Sequence, residues 1–140
     1  MISLVKFIIV SRLVLLKIMR NFLNVDQICE FCLNKKGVTE EFPFDEETLV
    51  FKVIGKMFLL LSLDSIPLQI NVKCDPEVAV ELRERYESVV PGYHMNKKHW
   101  NTVIIDGSVP DKIIFEWIDD SYSLVVGGLK KSDKKKLNGH

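Results

Sequence analysis

Residues 68–86 read LQINVKCDPEVAVELRERY, and two periodicities meet in them. Leu68, Ile70, Val72 and Cys74 alternate with Gln69, Asn71 and Lys73, the period of two expected of a strand with one buried and one wet face. At Asp75-Pro76 the period changes, since Asp is a helix N-cap and Pro suits the first helical position. Val78, Leu82, Tyr86 and Val89 then share one face of a helix that Pro91-Gly92 ends. A half-wet strand feeding an amphipathic helix points to a sheet with its helices on one side only.

Upstream, Leu49 to Ile54 and Lys56 to Leu63 are apolar, β-rich runs around Gly55, the pattern of a hairpin. Residues 39–45, TEEFPFD, are extended, because Pro43 bars its predecessor from the helical region. Asn24-Val25-Asp26-Gln27 is a capping box, opening a helix that runs to about Lys35 and stops at Gly37. Downstream, Trp100 to Ile105 is a strand. Ser108, with Asp111 three residues on, is expected to cap a last helix carrying Ile114, Trp117, Ile118, Tyr122, Val125 and Leu129. The expected order is α-β-β-β-β-α-β-α, an α+β domain with an antiparallel sheet and helices on one face.

A chain of 140 residues, 47% hydrophobic and 27% charged, has the composition of one globular domain. Disordered, collagen-like and polytopic membrane chains are excluded. The 19 basic and 19 acidic side chains cancel only in sum. Residues 1–20 carry Lys6, Arg12, Lys17 and Arg20 without an acid, and residues 130–140 carry five lysines against Asp133. Residues 21–129 therefore hold an excess of eight acids, which any anion-binding reading must survive. Residues 1–20 read as an extension to the domain at 21–129, a loose basic amphipathic stretch whose apolar runs are too short to span a bilayer. The favoured reading is translated upstream sequence with Met19 as the real start, because a compact domain begins just after it. Residues 130–140 read as a flexible lysine-rich tail.

Chemistry-bearing motifs are sparse. No phosphate-binding glycine loop, nucleophile elbow or zinc-protease motif occurs. Cys29 and Cys32 form a C-x-x-C, but inside a helical pattern and without two further zinc ligands, so they and Cys74 read as structural thiols in a reducing compartment. The acidic run Glu40, Glu41, Asp45, Glu46 and Glu47 reads as a solvated edge, with a hard-cation site as the sharper alternative. The expectation is no enzyme, no cofactor and no obligate metal.

One segment stands apart: PGYHMNKKHWNT, residues 91–102, sets Lys97-Lys98 among Tyr93, His94, His99, Trp100 and Asn101. Cations for phosphates beside flat rings for bases is the composition of a nucleic-acid surface. Tyr93 and Trp100 serving the core is the alternative.

GVTEEFPFDEETLVFKVIGKMF, then INVKCDPEVAVELRERY, then PGYHMNKKHWNTV closely resemble the MmcQ/YjbR family of small bacterial proteins, from about Val25 to Leu129. The resemblance implies a CyaY-like (frataxin-like) α+β fold and a DNA-binding protein with two β-hairpin wings. By position, the Gly55 hairpin and the loop bearing Lys97 and Lys98 are the wings. Candidate contacts are Lys52, Lys56, Lys73, Tyr93, His94, Lys97, Lys98, His99, Trp100 and Asn101. The expected protein is cytoplasmic, with DNA as its partner. A small-ligand or protein-interaction module on the open sheet face around Gln69, Asn71, Lys73 and Trp100 is the alternative.

Overall fold

The computed structural model describes residues 23–139. The expectations for residues 1–20 lie outside that range. Helix α1 (Val25–Leu33) leads into strands β1 (Val38–Glu41), β2 (Thr48–Val53), β3 (Lys56–Ser62) and β4 (Gln69–Lys73). Helix α2 (Pro76–Arg85), strands β5 (Val89–Pro91) and β6 (Trp100–Ile104), and helices α3 (Asp111–Gly127) and α4 (Lys131–Asn138) complete it. All pairings in the sheet are antiparallel, in the order β1-β2-β3-β4-β6-β5. This is the expected α+β class, with one strand and one helix more than the sequence reading supplied.

One face of the sheet carries the main core. Phe51, Phe58, Leu59, Leu61, Ile70 and Val103 meet Ile28 and Cys32 of α1 and Ile114, Ile118 and Val125 of α3. Leu82 of α2 packs on the same cluster. The alternation read in residues 68–74 holds: Ile70 and Val72 are buried, while Gln69, Asn71 and Lys73 are half-exposed. Asn24 and Gln27 form the expected capping box on α1, and Asp75 accepts from the Glu77 and Val78 amides ahead of α2.

Three local expectations are corrected. The helix after Pro76 does not reach Pro91, because Tyr86 already has extended backbone and Val89–Pro91 form β5. Without β5 the outer edge of β6 would have no partner; the Val89-Val90 pair is β-prone and completes the ladder. Ser108 does not cap α3. Val109 precedes Pro110 and is thereby disfavoured in helix, so the helix starts at Asp111, and Asp106 takes the Ser108 amide and hydroxyl.

The lysine-rich end is the third correction, for it is helical rather than a flexible tail. Leu137, at the end of α4, is 7% exposed and belongs to the main core. It packs over Gly37, where an added Cβ would stand 2.7 Å from Leu137 Cδ1 and 3.0 Å from Ile54 Cδ1. Gly37, with φ of 71°, therefore serves both the left-handed turn into β1 and the close approach of α4. Leu137→Ala should lower stability by about 2 kcal/mol, the low end for a buried leucine because the site is terminal. Urea unfolding followed by circular dichroism measures this directly.

Candidate nucleic-acid interface

Following the strand register separates the molecule into two ends. The β2–β3 turn, the start of β1, the end of β4 and the β5–β6 loop all lie at one end of the sheet, because Val53 pairs with Lys56 and Val38, and Lys73 with Trp100. Lys56, Lys73, Lys97 and Lys98 are brought together there. The β1–β2 and β3–β4 connections lie at the opposite end and carry Asp45, Glu46, Glu47 and Asp64. Acids crowd one another at that end: a hydrogen bond with Asp64 and the charges of Asp64 and Asp45 raise the Glu47 carboxyl above its usual range. Asp45 is held below its own, since the Glu47 and Thr48 amides donate to it. These four acids are therefore kept away from the candidate surface, although Asp75 follows Lys73 at the lysine-bearing end.

The turn between β2 and β3 is Ile54-Gly55, with φ of 46° and 78°. Two positive φ values give the twist that a two-residue hairpin needs. A β-branched residue in the left-handed region is strained, and packing against the main core beside Gly37 and Leu137 holds Ile54 there. Lys56 leaves this turn fully exposed. Lys52, one turn away on β2, is instead paired with Glu41 of β1.

The loop between β5 and β6 is tightly built. Gly92 sits against β6 so closely that an added Cβ would be 2.9 Å from Trp100 Cβ and 3.0 Å from its carbonyl oxygen. The Asn96 side chain accepts from the Lys98 amide at 2.9 Å, and the Asn96 carbonyl accepts from the His99 and Trp100 amides. Lys97 lies over the exposed Tyr93 ring, 5.2 Å from its centre, a cation–π contact that leaves the ammonium facing water. His94 and Lys98 are exposed, and His99 is half-buried, its carbonyl accepting from the Cys74 amide at 2.7 Å.

Two candidate contact residues are corrected. Trp100 is 8% exposed and packs on the open face with Val50, Leu60, Met57 and Met95, so its ring is no stacking platform. Asn101 points the other way and is 1% exposed. Its side chain accepts from Arg83 Nε at 2.6 Å and donates to the Ala79 carbonyl at 3.3 Å. The alternation of β6 explains both: consecutive residues must face opposite sides, and both sides are covered at this level.

Arg83, absent from the candidate set, proves to be the organiser of the loop. From α2 its guanidinium reaches Asn101, the Lys97 carbonyl and, at 3.3 Å, the Trp100 carbonyl. The planar fork suits such a divided task. Its place in the last turn of α2 made it look like an ordinary surface cation. Ser121 of α3 was also missed: it accepts from the Lys73 amide at 2.8 Å and donates to the Phe58 carbonyl at 2.5 Å, bridging β3 and β4 where their direct ladder ends.

The remaining candidate chemistry is weaker. On the open face the Asn71 side chain accepts from the Thr102 hydroxyl at 2.6 Å, while Gln69 and Lys73 stay half-exposed. Among the described residues no three His, Cys, Asp or Glu side chains gather as a metal site. Cys32 is buried and Cys29 and Cys74 half-buried. Burial raises all three thiols, Cys32 to about 12, the opposite of an activated nucleophile.

The YjbR family model matches residues 33–124. The chain is 43% identical over 97 residues to the uncharacterized protein YbdF of Escherichia coli O157:H7, covering 69% of this chain and 79% of that one. It is 30% identical over 115 residues to the uncharacterized protein YjbR of Escherichia coli K12, covering 82% and 98%. Among solved structures it is similar to Deinococcus radiodurans protein DR2400, with a TM-score of 0.77 and 43% identity over 82% of this chain and 88% of that one. A Pseudomonas syringae protein superposes with a TM-score of 0.64 at 28% identity, covering 73% and 98%.

Proposed function

This chain belongs to the YjbR family, and from that premise we propose that it is a non-enzymatic, cytoplasmic DNA-binding protein of CyaY-like fold. DNA lies across the lysine-bearing end of the sheet, with the Ile54-Gly55 turn and residues 92–99 as its two wings. The observation that carries this reading is the separation of charge by ends. Lys56, Lys73, Lys97 and Lys98 share one end, while the Asp45, Glu46, Glu47 and Asp64 cluster is at the other. Four lysines gathered at one end of a chain with an acidic middle support this reading, since phosphate contact depends on local charge. The raised thiols favour a binding role over thiol catalysis. Among the described residues no helix is long and apolar enough to cross a membrane.

With Trp100 buried and Tyr93 covered by Lys97, His94 is the one exposed ring of the candidate set left uncovered, and the surface offers mainly cations. Binding is therefore weak, salt-sensitive and nearly indifferent to sequence. Four lysines on phosphates give log K against log salt a slope of about −3.6. Lys97→Ala with Lys98→Ala should flatten the slope by about 1.8 and leave the folding midpoint in place, since neither side chain is buried. Fluorescence anisotropy of a labelled duplex across a salt series is the measurement. Absence of salt-sensitive binding at low ionic strength would end the reading.

A further inference from the structure

Helix α4 lies beyond the stretch that the family model matches, and its sequence has the look of a solubilising tail. Its packing is at odds with that role. Leu129, 6% exposed, fixes the chain before the helix, and Leu137, 7% exposed, fixes the helix end against Gly37 and Ile54. Between these two anchors Lys130, Lys131, Lys134, Lys135 and Lys136 are all exposed. The one acid of the segment, Asp133, faces Lys136 at 3.7 Å. Five ammonium groups are thereby held on a rigid rod of about 12 Å. Its far end borders Gly37 beside Ile54, the residue that begins the β2–β3 turn, so the rod's far end lies at the same end of the sheet as Lys56, Lys97 and Lys98.

We propose that α4 is a third arm of the DNA surface, a basic helix that flanks the duplex beside the β2–β3 wing. The inference rests on the DNA-binding reading above and deepens it. The partner follows from charge density. Duplex DNA presents one charge per about 1.7 Å of axis, close enough to engage several lysines on one short helix. An anionic membrane is less suited, because the apolar residues that anchor α4 are turned into the core and none remains to insert. The dimensions also agree. Six strands span about 24 Å, or some seven base pairs of duplex, so one end of the sheet and the helix beside it can follow a single duplex.

The test uses the full-length chain and a labelled duplex of about 20 base pairs, long enough to cover that span with flanks. Wild type is compared with Lys131→Gln/Lys134→Gln/Lys135→Gln, with Lys97→Ala/Lys98→Ala, and with all five changes together. Glutamine keeps the helix propensity of lysine, so α4 stays folded. With α4 engaged, the wild-type slope is steeper than about −6 rather than −3.6, the triple variant flattens it by about 2.7, and the combined variant by about 4.5. Leu137→Ser, which undocks the helix but keeps its charges, should weaken binding at a temperature where the variant remains folded. A triple variant with the wild-type slope, alongside a loop variant with a flattened one, overturns the role of α4 while leaving the DNA reading intact. Unchanged affinity in Leu137→Ser also overturns it, since lysines on a loose tail would then serve as well. No salt-sensitive binding by wild type removes both. Loss of binding to phosphatidylserine vesicles in the triple variant, with no binding to duplex, would assign the helix to a membrane instead.

Discussion

Between pH 9 and pH 12 the protein should lose about 4 kcal/mol of stability that a Cys32→Ala variant does not lose. Burial between α1 and the sheet raises the Cys32 thiol to about 12, with the neighbouring Cys29 and Asp119 adding to the shift and Lys35 opposing it. In the unfolded chain the thiol ionises near its ordinary value of 9.0. Through that window the unfolded chain has released a proton that the folded chain still holds, so rising pH favours unfolding. Three units at 1.36 kcal/mol each set the scale. The contribution is fully present below pH 9 and is gone above pH 12. Other groups also titrate there, so the quantity to measure is the difference between wild type and Cys32→Ala in urea unfolding at each pH. A gap that stays constant from pH 8 to pH 12 would show that the thiol ionises freely in the folded protein.

Asn101→Leu is expected to cost about 3 kcal/mol and to loosen the lysine loop. Leucine branches as asparagine does but is bulkier, so the cost is not a cavity, and some overpacking at this buried position adds to it. It arises because Arg83 Nε loses its 2.6 Å acceptor inside the protein, and hydrogen bonds to a charged group are worth about 1.5–3 kcal/mol. Arg83 also holds the Lys97 and Trp100 carbonyls, so the effect spreads into residues 97–100. Arg83→Met should cause a similar loss, and the double variant should be little worse than either alone, a coupling of about 2 kcal/mol. Amide hydrogen exchange supplies the second readout: the His99, Trp100 and Cys74 amides should exchange faster in both variants. Additive effects of the two substitutions would show that Asn101 and Arg83 act independently.

Much of the fold was legible because local rules and tertiary demands agree. The alternation in residues 68–74 survives since its polar face stays uncovered by any helix. The Asn24 box and the Asp75-Pro76 start survive because side-chain capping acts within four residues and needs no tertiary partner. The Gly55 turn was legible for a similar reason, and the resemblance carried by residues 37–58, 70–86 and 91–103 led to the correct family. The lysine loop, too, was visible in composition.

The errors share one cause. Val89–Pro91 look like the end of a helix until β6 needs an edge partner. The terminal lysines look like a tail until Leu137 finds Gly37 and Ile54, 100 and 83 positions earlier in the chain. Trp100 and Asn101 have the residue types of contact groups, but which face each occupies, and what covers that face, depends on elements distant in sequence. Arg83 was passed over because a cation near a helix end is ordinary, and its importance comes from the two carbonyls and one amide that the β5–β6 loop brings to it.

By itself, then, the sequence determined what short-range physics controls: element types, caps, the hairpin turn and the sidedness of the sheet. Only the tertiary structure decided where the charges gather. Net charge is a sum without positions, whereas binding depends on the field at one surface. The antiparallel register sends the β2–β3 turn and the β5–β6 loop to one end and the acidic connections to the other. That register is why Lys56, Lys73, Lys97 and Lys98 gather at one end of a domain that carries eight excess acids.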